Sequence, residues 1–317
     1  MLNVDIQCEK ERYLKYCENP KTIVPIFSQP WWMDALCGRE NWGVHLVGDD
    51  NNIKASFVYY VCEDAEQNGQ VEITRALLTQ NNGIIVNYPQ NQGVISRQKY
   101  DEEIVDEICG YIEHMGISRY DQQYHYCFTN FLPFFWHFYT CSIKYTYVIE
   151  NTKDMVQVRA SYSSKLKNML RKAQKYSKVI EEIDLHTFYS VNEMSFTRQS
   201  IQIPYSFEQF KKLYDACSAH DACKLLAACG EDGQINSVAM LVWDNQSVYY
   251  LLNGTNPALK HLQGNCLLID YAIEFAGLKG LKFDFEGSVI KGVNHAIREY
   301  GGTPMQYFRI SKSFISD

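Results

Sequence analysis

The sequence predicts an α/β fold with mixed sheets, built as two copies of one domain. Three observations carry this. Short runs alternate apolar and polar residues with the period of a strand, and longer runs place apolar residues at helical spacing. The two halves of the 317-residue chain present these elements in the same order, although their residues barely match. A basic amphipathic helix stands between them.

In the first half, residues 1–26 begin as a polar, helix-capable segment and end at Pro25. The run IFSQPWWMDALCG predicts a helix capped by Ser28, with Pro30 in its first turn and Gly38 at its stop. Strands are expected at 42–47 and 53–62, around the turn formers GDDNN, and again at 71–78, while 83–88 reads as a short strand or a loop. Residues 100–115 have helical spacing with acids early, which suits the helix dipole. A strand at 118–128, a short aromatic helix at 131–139 and a strand at 143–149 follow.

The second half repeats the order. A helix at 206–218 starts at Ser206, with Glu208 in its first turn. Strands at 224–230 and 235–243 flank the turn EDGQ, and another covers 248–253. A helix at 262–276 turns Leu267, Leu268, Tyr271, Ala272 and Phe275 to one face. A strand at 281–285, a helix through 296–300 and a strand at 305–310 complete the repeat. The expected domains are 1–152 and 153–317, the second led by the basic helix. On that helix Leu166, Met169, Leu170, Ala173 and Tyr176 form one apolar stripe. Lys165, Arg171 and other basic residues fill the remaining surface, either as a solvated face or as a site for phosphate groups.

Composition narrows the classes. Hydrophobic residues at 46% and charged residues at 21% describe a packed globular chain. A net charge of −7 weighs against a DNA footprint. The 11 cysteines are odd in number and show no paired spacing, so reduced, buried thiols and a cytoplasmic location are expected rather than disulfides or zinc. The eight histidines show no metal-ligand spacing, and no metal site is expected. No basic n-region precedes an apolar stretch at the start, and no apolar run reaches the ~20 residues that span a bilayer. Trp31 and Trp32 fit either the core or a stacking surface.

The stretch KFDFEGS holds the most chemistry. Asp284 and Glu286 alternate with Phe283 and Phe285, so strand geometry points both carboxylates to one face. Acids at the C-terminal end of a buried strand stand where open α/β sheets take ligands; a solvated strand end is the other reading.

Three stretches together, SSKLKNMLRKAQKYSKVIEE, FTRQSIQIPYSFEQFKKLY and LLNGTNPALKHLQGNCLLIDYAIEFAGLKGLKFDFEGS, resemble the FemAB-like branch of the GNAT acyltransferases. FSQPWWMDALCG and FTNFLPFFWHFY in the first half resemble the same branch. The resemblance implies two tandem GNAT-like domains and transfer of an acyl or aminoacyl group to an amine. The acceptor would be a small-molecule amine or a peptidoglycan-precursor-like molecule. It implies a splayed pair of strands, 248–253 and 281–285, lined by Tyr250, Asn253, Asp284 and Glu286. Asp284 or Glu286 would take the amine's proton. Tyr250, Asn253, Lys291 or a backbone N–H would meet the oxyanion. Lys165 and Arg171 would hold phosphate, and Arg198, Gln199, Asn265 and Ser288 would contact substrate.

No tightly bound cofactor is implied; the co-substrate is acyl-CoA or aminoacyl-tRNA. KHLQGNC has one glycine, Gly264, where CoA-dependent relatives have a glycine-rich loop for pyrophosphate. No inserted helical arm of the kind carried by some tRNA-using relatives is present, which weighs against tRNA without excluding it. The alternative function is a non-catalytic tandem module that binds a ligand or partner.

Overall fold

The computed structural model describes residues 6–19, 22–63 and 70–314. The expectations for residues 1–5 lie outside these. Among the described residues no helix is long and apolar enough to cross a membrane. The chain divides into two compact units. Unit 1 is residues 1–144 with 306–317, and unit 2 is residues 145–305.

Unit 1 runs α1 (Ile6–Glu18), α2 (Pro30–Cys37), β1 (Trp42–Asp49), β2 (Asn52–Glu63), β3 (Val71–Thr74), β4 (Gly83–Val86), α3 (Val94–His114), β5 (Arg119–Gln123) and α4 (Leu132–Trp136), then enters β6 (Thr140–Ile149). β2 pairs antiparallel with β1, β3 and β4, and β3 pairs parallel with β5. Ile104, Val105, Ile108 and Ile112 of α3 pack on Phe57, Ile73, Tyr120 and Tyr124 to make the core. Trp32 is fully buried, with its indole N–H on Thr79 Oγ1 at 2.9 Å, which settles it as a core residue.

Some local expectations shift. α2 is capped at Gln29 without a side-chain bond, and Ser28 instead ends a 3₁₀ turn at Ile26–Ser28. Gly38 does end α2, at φ 77°. The strand expected at 118–128 stops at Gln123, after which only a single bridge joins Asn82 to Tyr124.

Unit 2 takes the rest of β6, then α5 (Met155–Ser161), α6 (Ser164–Tyr176), β7 (Ser177–Ile180), α7 (Leu185–Thr197), α8 (Phe207–Ala219), β8 (Cys223–Gly230), β9 (Ile235–Trp243), β10 (Ser247–Thr255), α9 (Gly264–Lys279), β11 (Lys282–Asp284) and α10 (Lys291–Arg298), and enters β12 (Thr303–Ser313). Strands β7 to β10 pair antiparallel in sequence, and β10 pairs parallel with β11. Ser206 and Gln209 form a capping box on α8. The stripe on α6 buries Leu166, Leu170 and Ala173 against Leu268, Ala272 and Ile273 of α9, above Leu226, Leu241, Val248 and Phe283 of the sheet. Burial of each large aliphatic stabilises the layer by roughly 2 kcal/mol.

α5, β7 and α7 have no counterpart in the sequence expectation. α7 is rich in aromatic and β-branched residues, poor helix formers. It is fixed instead by its cap, with Asp184 accepting the Thr187 N–H at 2.9 Å.

The last strand of each half departs from the chain order. The end of β6 pairs with β11 inside unit 2, at Ile149–Phe283 and Val148–Asp284. The end of β12 pairs with β5 inside unit 1, from Arg309–Gln123 to Ser313–Arg119. The units therefore divide at 144/145 and return 306–317 to unit 1, where the sequence expectation divides the chain once at 152/153.

Candidate active site

The parallel ladder between β10 and β11 is short. It joins Ser247–Tyr249 to Lys282–Asp284 and then ends. β10 continues to Thr255, paired with β9, while the chain after β11 turns away toward α10. A β-bulge marks the point of parting. Tyr250 faces Leu241 and Leu252 faces Met240, so Leu251 has no partner in the register.

Asp284 ends β11, 4% exposed. Its Oδ1 accepts the Thr146 hydroxyl at 2.5 Å and the Glu286 N–H at 2.7 Å. Burial pushes its carboxyl up to about 6, against these two bonds, which favour the ionised form. The Asp284–Glu286 bond is an Asx turn, and it takes the chain out of strand geometry. Glu286 has φ 58° and Gly287 φ 67°, both left-handed. A carboxylate-bearing residue in this region is strained, and such strain concentrates at functional sites. The strand alternation expected to put Asp284 and Glu286 on one face therefore does not reach Glu286. Its carboxylate, 8% exposed, is positioned by the turn.

Gly287 is fixed by a close approach as well as by its φ. A Cβ there would lie 2.0 Å from the Tyr145 carbonyl oxygen. Ser288 Oγ then accepts the Ile290 N–H at 3.1 Å, ahead of α10. Asn294 of α10 accepts the Tyr147 hydroxyl at 3.3 Å, which ties α10 to β6.

On the other side of the parting, Tyr250 is 6% exposed and donates its hydroxyl to Asn265 Oδ1 at 3.0 Å. Burial, with Cys266 adding to it, raises the phenol well above its ordinary value, so Tyr250 acts as a donor and not as a phenolate. Asn265 lies in the first turn of α9, behind Gln263 at φ 61°. Gly264 is required by packing, since a Cβ there would meet Asn236 Oδ1 at 1.6 Å and Ala228 Cβ at 2.8 Å.

The remaining residues are spread more widely. Lys165 and Arg171 are exposed on α6, with Arg171 donating to Asn168 Oδ1 at 2.5 Å. α6 packs on α9 and touches the 3₁₀ turn Pro257–Leu262 that leads into the α9 N-terminus. Asn253 is exposed, and its carbonyl accepts from Asn192 Nδ2 at 2.7 Å. Arg198 and Gln199 are exposed beyond α7, with Gln199 donating to the Ser195 carbonyl at 2.9 Å. Lys291 opens α10, exposed. The structure thus groups Asp284, Glu286 and Ser288 in one turn and Tyr250 with Asn265 in one bond. Among the described residues no hydrogen bond or ion pair joins Arg198, Gln199 or Lys291 to either group. Thr146, Tyr147 and Asn294 complete the site and have no signal in the sequence, because β6 meets β11 only through the fold. Among the described residues no cluster of His, Cys, Asp or Glu could hold a metal ion.

This arrangement coincides with a recognised domain. Residues 160–294 match the family model described as Acetyltransferase (GNAT) domain. The match lies within unit 2 and supports an acyltransferase. Over its whole length the chain has the fold of FemX, with a TM-score of 0.67 at 12% identity, covering 97% of this chain and 96% of that one. A conserved protein of unknown function from Bacteroides thetaiotaomicron VPI-5482 follows at TM-score 0.56 and 8% identity, with 98% and 99% covered. The L-PGS of Bacillus licheniformis has TM-score 0.50 and 10% identity, with 87% and 85% covered. At these identities the likeness concerns the fold. A comparison of the sequence with curated proteins gives no match.

Proposed function

We propose that the chain transfers an acyl or aminoacyl group to an amine at the parting of β10 and β11, with Glu286 as the general base. The observation that carries this is the end of the β10–β11 ladder at Tyr249 and Asp284, with a strained carboxylate on one side and the Leu251 bulge on the other.

The chemistry follows from the geometry. The acceptor amine attacks the donor carbonyl carbon, and the new C–N bond forms as the thioester or ester bond breaks. The amine's proton passes to Glu286, directly or through water, and the departing thiol or hydroxyl leaves protonated. A backbone N–H at the Leu251 bulge meets the developing oxyanion. Tyr250, already donating to Asn265, orders that wall. Asp284 holds the turn that presents Glu286.

Phosphate of the donor sits at the α9 N-terminus, where helix N–H groups favour an anion. Lys165 and Arg171 of the adjoining α6 add positive charge. The packing of α6 on α9 supports this reading over a merely solvated face. An acyl-CoA fits such a site, and an aminoacyl-tRNA is the other donor with phosphates to bind. Resemblance to the FemAB-like branch favours a small amine or a peptidoglycan-precursor-like acceptor.

The test pairs binding with turnover. Calorimetric titration with coenzyme A and acetyl-CoA is run on the wild type and on Arg171→Ala, and transfer to an amine panel is followed for wild type and Glu286→Gln. Glu286→Gln is expected to lower kcat by about 10²–10⁴ while donor affinity stays unchanged. Unchanged turnover in Glu286→Gln removes Glu286 as the base. No coenzyme A binding at millimolar ligand removes the acyl-CoA donor and sends the question to a charged-tRNA transfer assay.

A further inference from the structure

Two cysteines of unit 2 meet where α8 turns into β8. Cys217 lies in the last turn of α8, fully buried, and Cys223 opens β8, half-buried. Both are free thiols. The chain between them reverses through a left-handed residue, Asp221, at φ 47°. The Cys217 carbonyl accepts the His220 N–H at 3.3 Å and the Ala222 N–H at 2.8 Å, and the Ser218 carbonyl accepts the Asp221 N–H at 3.1 Å. Bonds of this kind fold the chain back over the last helical turn. Cys223 therefore enters β8 with its side chain against α8, where its Sγ donates to the Tyr214 carbonyl at 3.8 Å. Tyr214 precedes Cys217 by three residues and so shares a side of the helix with it. The Cys217 thiol in turn hydrogen-bonds to the Cys223 sulfur.

Buried cysteines commonly act as small apolar side chains. Three features set this pair apart from that role. The two sulfurs touch, they come from elements joined by a tight turn, and one of the two residues reaches solvent. The Cys217 thiol is raised in pKa first by its bond to Cys223 and then by burial. Cys217 is thus a poor attacking group while Cys223 remains a thiol, and the half-buried Cys223 is the one that an oxidant meets first.

We infer that Cys217 and Cys223 are a disulfide-forming pair, oxidised by exchange with a small-molecule disulfide such as oxidised glutathione. The Cys223 thiolate attacks one sulfur of that disulfide. The external S–S bond breaks, one glutathione thiol leaves, and a mixed disulfide forms on Cys223. Cys217, no longer bonded to a Cys223 thiol, then attacks the Cys223 sulfur as a thiolate. The protein S–S bond forms as the second glutathione departs. The two protons of the protein thiols end on the two glutathione thiols, so two protein thiols are oxidised and one external disulfide is reduced. The product ties the end of α8 to β8. α8 packs on α7 and α7 packs on β10, so the bond braces the helices that back β10. Nothing in this chemistry draws on the acyl transfer proposed above.

Trypsin releases both cysteines in one peptide, Leu213–Lys224, which holds no other cysteine. The folded full chain is incubated with oxidised glutathione, quenched with acid, unfolded in urea with iodoacetamide and digested, and the peptide is weighed. The wild-type peptide is expected to escape alkylation and to weigh two hydrogens less than the reduced peptide, and prior dithiothreitol is expected to restore two alkylation sites. Cys217→Ser stops the exchange at its first step, so the peptide carries one glutathione on Cys223. Cys223→Ala leaves buried Cys217 without glutathione. Should a variant fail to fold, the wild-type peptide decides alone. The inference is overturned if that peptide takes up two alkyl groups after oxidation, or if it accumulates with glutathione on Cys223 and no bond to Cys217.

Discussion

Asp284→Asn isolates what a buried carboxylate contributes at the turn. The side chain keeps its size, and its Oδ1 still accepts from Thr146 and from the Glu286 N–H. The charge is removed, and the second carboxylate oxygen becomes an amide NH2. Burial raises the Asp284 carboxyl from its ordinary 3.8 to about 6, so the folded protein holds this proton more tightly than the unfolded chain does. Stability from this group is therefore full below pH 3.8 and is lost as pH rises through 6. The difference corresponds to about 3 kcal/mol of destabilisation at pH 8, of which roughly half is already present at pH 5. Asp284→Asn should thus be more stable than the wild type by up to about 3 kcal/mol at pH 8, with a smaller gain at pH 5. Urea unfolding at both pH values measures it. A variant less stable than the wild type at pH 8, or one whose gain does not grow between pH 5 and pH 8, refutes the reasoning.

Two further perturbations probe the same unit. Gly287→Ala meets the Tyr145 carbonyl oxygen and a left-handed backbone together, so urea unfolding should show a loss of at least about 2 kcal/mol, and a loss below half of that removes the close approach as its cause. Tyr162→Phe deletes the hydroxyl that donates to buried Asp270 Oδ1 at 3.1 Å, while Arg159 Nη2 still donates to Asp270 Oδ2 at 2.8 Å. The expected cost in the same assay is about 1 kcal/mol, and a loss several times larger would mean that Arg159 does not hold Asp270 unaided.

Much of unit 2 was legible because its signals are local. The β8–β9 hairpin follows from alternating apolar residues around EDGQ, α9 from its helical spacing and Gly280, and α8 from Ser206 and Glu208. The acidic turn at Asp284 stood out for its carboxylates in an apolar strand. Its conformation did not, because a left-handed Glu286 violates the local preference that sequence reading relies on. α7 was illegible for a similar reason: its residues disfavour a helix, and a side-chain cap together with packing on β10 overrides them.

The sequence by itself determined most of the helices and strands in each half, with α5, β7 and α7 the exceptions, and the basic stripe between the halves. It also determined the identity of the acids at the end of β11. These depend on periodicity and on residue type over a few turns of chain. The tertiary structure decided which strand each half receives last. β12 returns to β5, and β6 delivers Thr146 to Asp284, because strand pairing joins residues more than a hundred positions apart. It also decided where β10 and β11 part. This depends on register across the sheet, and register is a property of partners that the local sequence does not name.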